Sequence, residues 1–218
     1  MRESFQNQLG QLGDHLAQMC TVVASAMEKA TIALLESDLE LAKDVISNDS
    51  KIDELRAIAE DRSYAALALQ APVATDLRSV LTVIHAAGDL ERMGDLALHV
   101  AEAACRRYPE HVLPEQIRPY FTEMGRVAVA LALKAGEVIR SRDLEQASEL
   151  EADDDAMDDL HRHMFTVLMD RDWPHGVAAA VDVTLLARFY ERYADHAVAV
   201  ARRVIYTVTG RMPGPLVV

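Results

Sequence analysis

The feature that most constrains this chain is a helical stripe of small and apolar residues with a carboxylate at its centre, which occurs twice. In the first copy Glu91 lies within the stripe and Asp95 follows one helical turn later. In the second copy Glu191 and Asp195 lie 100 positions further along. The stripes step by three and four residues: Ile84, Ala87, Glu91, Gly94, Leu98, Ala101 and Cys105, then Thr184, Ala187, Glu191, Ala194, Val198, Ala201 and Ile205. The repeat predicts two equivalent buried helices.

The carboxylates in these stripes need a counter-charge. Two acids four residues apart on a helix repel each other, and burial of an unpaired charge is costly. A bound cation would satisfy them, and so would a neighbouring arginine, for which the sequence offers Arg78, Arg92 and Arg192. The pattern supports both interpretations.

The composition and the positions of proline predict helices throughout. Only 5% of the residues are aromatic, and Ala and Leu are abundant, which favours helix over strand. The prolines are clustered and leave long intervals free for helix. The second helix of each repeat should begin at a capping residue. In the first repeat this cap is Ser37, in the capping box Ser37-Asp-Leu-Glu40. In the second repeat it is Asp143, together with Gln146.

We therefore predict an all-α protein of two tandem antiparallel three-helix bundles related by internal duplication. A shift of 105 positions relates Asp38-Leu-Glu40 to Asp143-Leu-Glu145, close to the shift that relates the acidic stripes. The predicted units are a first bundle over residues 1–108, a linker over 109–119, a second bundle over 120–209 and a flexible tail over 210–218.

Four carboxylate pairs with i,i+4 spacing are the candidates for a site: Asp49/Asp53, Glu91/Asp95, Asp154/Asp158 and Glu191/Asp195. In each repeat one pair belongs to the second helix and one to the third, and these helices are neighbours in a three-helix bundle. Each bundle therefore brings four carboxylates towards one place. Such oxygen ligands suit Mg²⁺, Ca²⁺, Mn²⁺ or a carboxylate-bridged iron pair. Secondary candidates for metal ligands are His99, His161 and His196.

Two of the pairs also have simpler interpretations. The segment 47–50, Ser-Asn-Asp-Ser, has the composition of a helix break, which would place Asp53 in the first turn of a new helix. Asp154 and Asp158 belong to an acidic run that is typical of a solvent-exposed helix face. Asp154 nevertheless falls at an apolar position of its helix, between Leu150 and Met157.

Charge and missing motifs restrict the function. A net charge of −13 argues against nucleic acid or an anionic membrane as the main partner. No apolar run approaches the roughly 18 residues of a membrane span and no secretory leader is visible, so we expect a cytoplasmic protein. Cys20 and Cys105 have no metal or redox spacing and are expected to be reduced, buried thiols. We find no nucleophile motif or phosphate-binding glycine loop and predict a protein that is not an enzyme.

Several of these motifs resemble the PhoU family of bacterial phosphate-uptake regulators. The similar segments are Leu90-Glu-Arg-Met-Gly-Asp95, Glu191-Arg-Tyr-Ala-Asp-His196, Gln70-Ala-Pro-Val-Ala-Thr-Asp-Leu-Arg78 and Val204-Ile-Tyr-Thr-Val-Thr-Gly210. The resemblance implies two three-helix bundles that hold iron or another divalent metal, such as manganese, magnesium or zinc, on acid-x-x-x-acid motifs. It also implies a homodimeric cytoplasmic regulator that couples the ATPase subunit of the phosphate ABC transporter to a sensor histidine kinase. Such a regulator represses phosphate-starvation genes when phosphate is plentiful.

The alternative function is that of a ferritin-like di-iron oxidase or storage protein. That class places a Glu-x-x-His step on two helices of one bundle. In an apolar seam of this chain, the comparable step is Asp158-x-x-His161, and the equivalent of His161 in the first repeat is Arg56. The step is not duplicated, which favours the regulatory interpretation.

Overall fold

The structure is a computed structural model that describes residues 2–211. Within that range the chain forms six α-helices and one short 3-10 helix, and no strand. The α-helices are α1 (Arg2–Glu36), α2 (Leu39–Gln70), α3 (Ala74–Arg107), α4 (Arg118–Ser141), α5 (Leu144–Leu168) and α6 (Gly176–Thr209), and the 3-10 helix spans Glu115–Ile117. The predicted all-α class is confirmed. Of the predicted flexible tail, residues 212–218 lie outside the described residues.

Local side-chain chemistry sets the starts of the second helix in each repeat. The Asp38 carboxylate accepts a hydrogen bond from the Leu41 amide at 3.0 Å and caps α2. Ser37, predicted as this cap, instead adopts a left-handed φ of 55° at the end of α1, so that prediction was wrong by one residue. The predicted cap at Asp143 is confirmed, since its carboxylate accepts from the Glu145 and Gln146 amides. α2 continues through residues 47–50, so the alternative of a helix break there is wrong.

The two bundles pack side by side in antiparallel fashion. α3 and α6 lie against each other and run in opposite directions. The end of α3 meets the start of α6, where Arg107 binds Asp182, and the start of α3 meets the end of α6, where Arg78 donates to the Thr207 carbonyl at 3.3 Å. α1 and α4 form the second seam between the bundles, whereas α2 and α5 lie on the outside. The buried side chains of both bundles form one continuous core. Each bundle is therefore stabilised by its neighbour as well as by its own three helices.

Close approach of α1 and α4 depends on two glycines of α4. A Cβ at Gly125 would lie 2.6 Å from the Thr31 side chain, and one at Gly136 would lie 3.1 Å from Cys20 Cβ. The Thr31 hydroxyl shares a buried hydrogen bond of 2.8 Å with the Tyr190 hydroxyl, which joins α1 to α6. Burial raises the pKa of the Cys20 thiol to about 12, as expected for a reduced core cysteine. Both cysteines are free.

The duplication is incomplete at one end of the second bundle. α3 and α6 both contain 34 residues, whereas α4 has 24 residues against 35 in α1, and α5 has 25 against 32 in α2. The lost turns are at the start of α4 and the end of α5, which meet at the same end of the bundle. None of the helices within residues 2–211 is both long and apolar enough to cross a membrane.

We expect Gly125→Ala to lower the free energy of unfolding by about 1–3 kcal/mol, because the added methyl group displaces the hydrogen-bonded Thr31. Urea denaturation monitored by circular dichroism measures the change. The matched control is Gly10→Ala in α1, where nothing lies within 4 Å of the added methyl. That control should be neutral or stabilising by up to about 1 kcal/mol. Equal stability of the two variants would contradict the proposed close packing of α1 and α4.

Candidate functional site

The first acidic cluster lies where α2 meets α3. Gly94 permits this contact, since a Cβ there would lie 2.7 Å from Ile52 Cδ1 and 3.6 Å from Asp49 Oδ1. Burial raises the pKa of Asp49, and the negative charges of Asp95, Asp53 and Glu91 raise it further. The charges of Asp53, Glu91 and Asp95 therefore act on Asp49, although no three of these acids are arranged as metal ligands among residues 2–211.

Arginines neutralise much of this first cluster. Glu91 is 9% exposed, and its Oε1 lies 3.1 Å from Arg56 Nη1 while its Oε2 lies 3.5 Å from Arg92 Nε. Arg92 Nη1 also donates to Asp95 at 2.6 Å. Arginine therefore supplies the counter-charge of Glu91. Arg92 was among the arginines predicted for this role, whereas Arg56 was not. Arg78 instead binds Thr75 and the Thr207 carbonyl.

The second acidic cluster lies at the corresponding contact of α5 with α6. Burial, followed by the charges of Asp158, Asp195 and Glu191, raises the pKa of Asp154 to about 7. The pKa values of Glu191 and Asp195 are also raised, chiefly by burial. The interpretation of Asp154 as part of a wholly solvated acidic face does not hold, because its side chain is partly buried against these acids.

The second cluster makes fewer arginine contacts than the first, two against three. Arg188, which the sequence analysis did not identify, binds Glu191 Oε1, but Glu191 Oε2 is buried and has no hydrogen-bond partner in the described structure. Within residues 2–211 Asp158 makes one long ion-pair contact, of 3.9 Å, with Arg162. At the position equivalent to Arg56 stands His161, whose Nε2 is likewise buried without a partner among residues 2–211. Burial and the nearby Arg188 lower the pKa of His161, which favours a neutral imidazole.

The other two histidines predicted as secondary metal ligands, His99 and His196, occupy different environments. His99 stacks against Phe189 with ring centroids 5.3 Å apart and lies near the first cluster, where its charge would lower the pKa of Asp49. His196 faces away from the second cluster, and its Nδ1 lies 3.2 Å from Asp89 across the seam between α3 and α6. Arg203 donates to the same carboxylate at 2.6 Å. This partly buried Asp89 group joins the two bundles and was not predicted from the sequence.

The donor chemistry of the clusters suits a hard cation. Neighbouring carboxylates whose mutual repulsion raises their pKa values are stabilised by a bound cation. Glu191 Oε2 is in addition a buried oxygen atom without a hydrogen-bond partner in the described chain. Across residues 2–211, no group of three His, Cys, Asp or Glu side chains stands in a metal-binding arrangement. Coordination would therefore require rotation of these side chains, and in the first cluster also displacement of Arg56 and Arg92.

Fold and site together define a class of helical proteins with two tandem three-helix bundles, each carrying an acidic cluster between its second and third helices. Comparison with known families agrees with this class. The PhoU domain matches the chain twice, over residues 16–104 and 121–204. The chain therefore belongs to the PhoU family.

Named relatives cover nearly the whole chain. The phosphate-specific transport system accessory protein PhoU homolog 2 of Mycobacterium tuberculosis is 59% identical over 213 residues, which cover 98% of this chain and 100% of that protein. Homolog 1 of Mycobacterium leprae is 57% identical over 98% of this chain and 96% of its own length. The crystal structure of PhoU from Streptococcus pneumoniae superposes with a TM-score of 0.87 at 22% identity, covering 97% of this chain and 100% of that one. The last comparison supports the fold alone.

We expect Asp154→Asn to stabilise the metal-free protein more at pH 8 than at pH 5. The folded pKa of about 7 exceeds the ordinary value of 3.8, so the fold disfavours the carboxylate. This penalty is absent below the ordinary value, grows between the two values and is fully present above pH 7. After discounting for partial exposure, the gain at pH 8 should be roughly 1–2 kcal/mol.

Thermal denaturation in the presence of a chelator measures this gain at both pH values. The matched control is Asp155→Asn, one residue further along α5 at an exposed position. A gain for Asp154→Asn that is independent of pH, or equal to that of the control, would contradict the clustered-acid description.

Proposed function

We propose that this protein is a phosphate-responsive regulatory adaptor of the phosphate transport system. The observation that carries the proposal is its 59% identity, over nearly the whole length of both chains, to a protein named a phosphate-specific transport system accessory protein. In this role it acts in the cytoplasm and couples the phosphate ABC transporter to a sensor histidine kinase. It thereby represses phosphate-starvation genes when phosphate is plentiful.

The proposed mechanism is contact between proteins rather than catalysis. The long helices offer extended faces for docking, and the net charge of −13 favours basic surfaces on the partners. The partners in this proposal are the ATPase subunit of the transporter and the kinase, with the protein itself a homodimer. The association reaches the membrane only through these partners.

The acidic clusters are proposed to hold iron, manganese, magnesium or zinc ions in support of this role. In the second bundle the ligands would be Asp154, Asp158, Glu191 and Asp195, with His161 beside them. In the first bundle they would be Asp49, Asp53, Glu91 and Asp95, with His99 nearby. A bound cation would supply positive charge that offsets the repulsion between the acids. The second cluster is the better site, because Arg56 and Arg92 already neutralise Glu91 in the first.

We expect Glu191→Gln to remove more bound metal than Glu91→Gln, and the double variant to remove nearly all of it. Elemental analysis of protein dialysed against Mn²⁺ or Fe²⁺ measures the loss per chain. Arg56→His places in the first cluster the histidine that the second cluster has at the equivalent position, His161. This variant should raise the metal content above that of the unchanged protein. Unchanged metal content in the double variant, with its helical circular dichroism intact, would overturn the proposed ligand set.

Deletion of the gene should raise expression of phosphate-starvation genes in high phosphate, because the kinase would no longer be coupled to the transporter. A reporter fused to a starvation promoter measures the change, which should be at least several-fold. Mycobacterium tuberculosis has relatives named homolog 1 and homolog 2, so any second copy in the host must be deleted as well. Normal repression in a strain that lacks every copy would contradict the regulatory proposal.

A further inference from the structure

An open cavity lies between the first turns of α1 and the last turns of α2. Its volume is about 330 Å³, at the small end of the range of roughly 300–1,000 Å³ for ligand pockets. The floor is apolar, since Leu12 and Ala66 are only 3% and 6% exposed. The polar side chains around this floor are Gln8, Gln11, Arg62 and Gln70. Such walls match a small molecule that combines an apolar body with a polar group.

The polar rim offers hydrogen-bond donors that the protein itself does not use. On the same helix Arg56 is paired with Glu60 and Glu91, whereas Arg62 forms no ion pair with any of residues 2–211. Within that range the Arg62 guanidinium and the three glutamine carboxamides also make no hydrogen bond with other protein groups. No Asp or Glu is among the described residues that line the cavity. The one formal charge of the described lining is therefore positive.

The second repeat has no counterpart of this cavity wall. Under the shift of 105 positions, Arg118 at the start of α4 corresponds to Gly13 (118 − 105), so the α1 residues before Gly13 have no α-helical equivalent. The three α1 residues that line the cavity all belong to this unmatched segment. The equivalent of Arg62 is Val167 (62 + 105), which carries no charge. Packing of a three-helix bundle therefore does not by itself require these features.

A carboxylate is the group that this rim is best suited to bind. A guanidinium presents its N–H donors in a planar fork that matches both oxygens of a carboxylate. Carboxamide NH₂ groups add further donors beside it. One guanidinium balances one negative charge, and the apolar floor is covered only if the same molecule carries an apolar body. Inorganic phosphate has no such body and leaves the floor exposed to water.

We propose that this cavity binds a small carboxylic acid with an apolar body, of the size of a short-chain fatty acid. The carboxylate lies against Arg62, and the apolar chain lies over Leu12 and Ala66. The inference goes beyond the adaptor role and does not rest on it, because no residue of either acidic cluster lines the cavity.

The probe is sodium hexanoate, with uncharged hexan-1-ol and cationic hexylamine as comparison ligands. Methyl NMR of protein labelled at alanine and leucine methyl groups reports binding at Leu12, Ala65 and Ala66, which all line the cavity. We expect hexanoate to shift these signals saturably. Hexan-1-ol and hexylamine should bind at least about fivefold more weakly, because neither accepts the charge-assisted hydrogen bonds of Arg62. Inorganic phosphate should leave the signals unchanged.

The decisive variant is Arg62→Gln, which removes the charge at an exposed position but keeps a hydrogen-bond donor. It should weaken hexanoate at least about fivefold and leave the affinity for hexan-1-ol within about twofold. The matched control is Arg106→Gln, at an exposed position in the last turn of α3, which should change neither affinity. Ala65→Phe, also at an exposed position, fills the cavity and should weaken both ligands. Circular dichroism verifies that each variant is folded.

Four results would overturn the inference. Absence of a saturable shift at the three methyl-bearing residues would show that hexanoate does not bind there. Equal hexanoate affinity of Arg62→Gln and Arg106→Gln would remove the role of Arg62. Hexan-1-ol or hexylamine bound as tightly as hexanoate would reduce the site to an apolar cleft, and phosphate bound as tightly would make it a general anion site. All four are measured on the purified protein without transporter, kinase or starvation genes, so failure of this inference is distinguishable from failure of the adaptor proposal.

Discussion

A carboxylate held in the packed face of a helix is the constraint on which the rest of this structure depends. Glu91 in α3 and Glu191 in α6 lie among small residues that let neighbouring helices approach closely, and a buried charge there requires a partner. The first bundle provides Arg56 and Arg92. The second provides Arg188 for one oxygen of Glu191, and the other oxygen has no hydrogen-bond partner in the described residues. The two repeats therefore differ in charge balance although their backbones correspond.

The same two helices also join the bundles, which links the acidic clusters to the seam between them. Asp89 precedes Glu91 by two residues and binds His196 and Arg203, and His196 directly follows Asp195. Burial opposes ionisation of Asp89, but the hydrogen bonds from His196 and Arg203 outweigh it and lower the pKa of Asp89. A rotation of α3 or α6 that relieves repulsion in a cluster would also move this group. The clusters and the seam are therefore mechanically connected through rigid helices rather than through loops.

Much of the fold was predictable because its signals are local. The capping signals predicted the start of α5 correctly and that of α2 to within one residue, and the displaced cap at Ser37 arose because Asp38 competes for the same role. The expected grouping of the acids followed from helical spacing and the duplication. The pairing of Arg56 with Glu91 could not be predicted, since it depends on the rotation of α2 against α3. The Asp89 contacts depend on how the two bundles pack against each other, which no local pattern encodes.

The two repeats differ most in how their buried glutamates are balanced. Both expose large apolar side chains, Leu69 and Val73 at 79% and 74% in the first bundle and Met169 and Val177 at 82% and 80% in the second, so apolar exposure does not separate them. In the first bundle Arg56 and Arg92 each contact Glu91, whereas in the second one oxygen of Glu191 has no hydrogen-bond partner among the described residues and the pKa values of Asp154 and Glu191 are raised. Buried acids without a counter-charge reduce the stability of an isolated domain. The second bundle tolerates them while it shares one continuous core with the first.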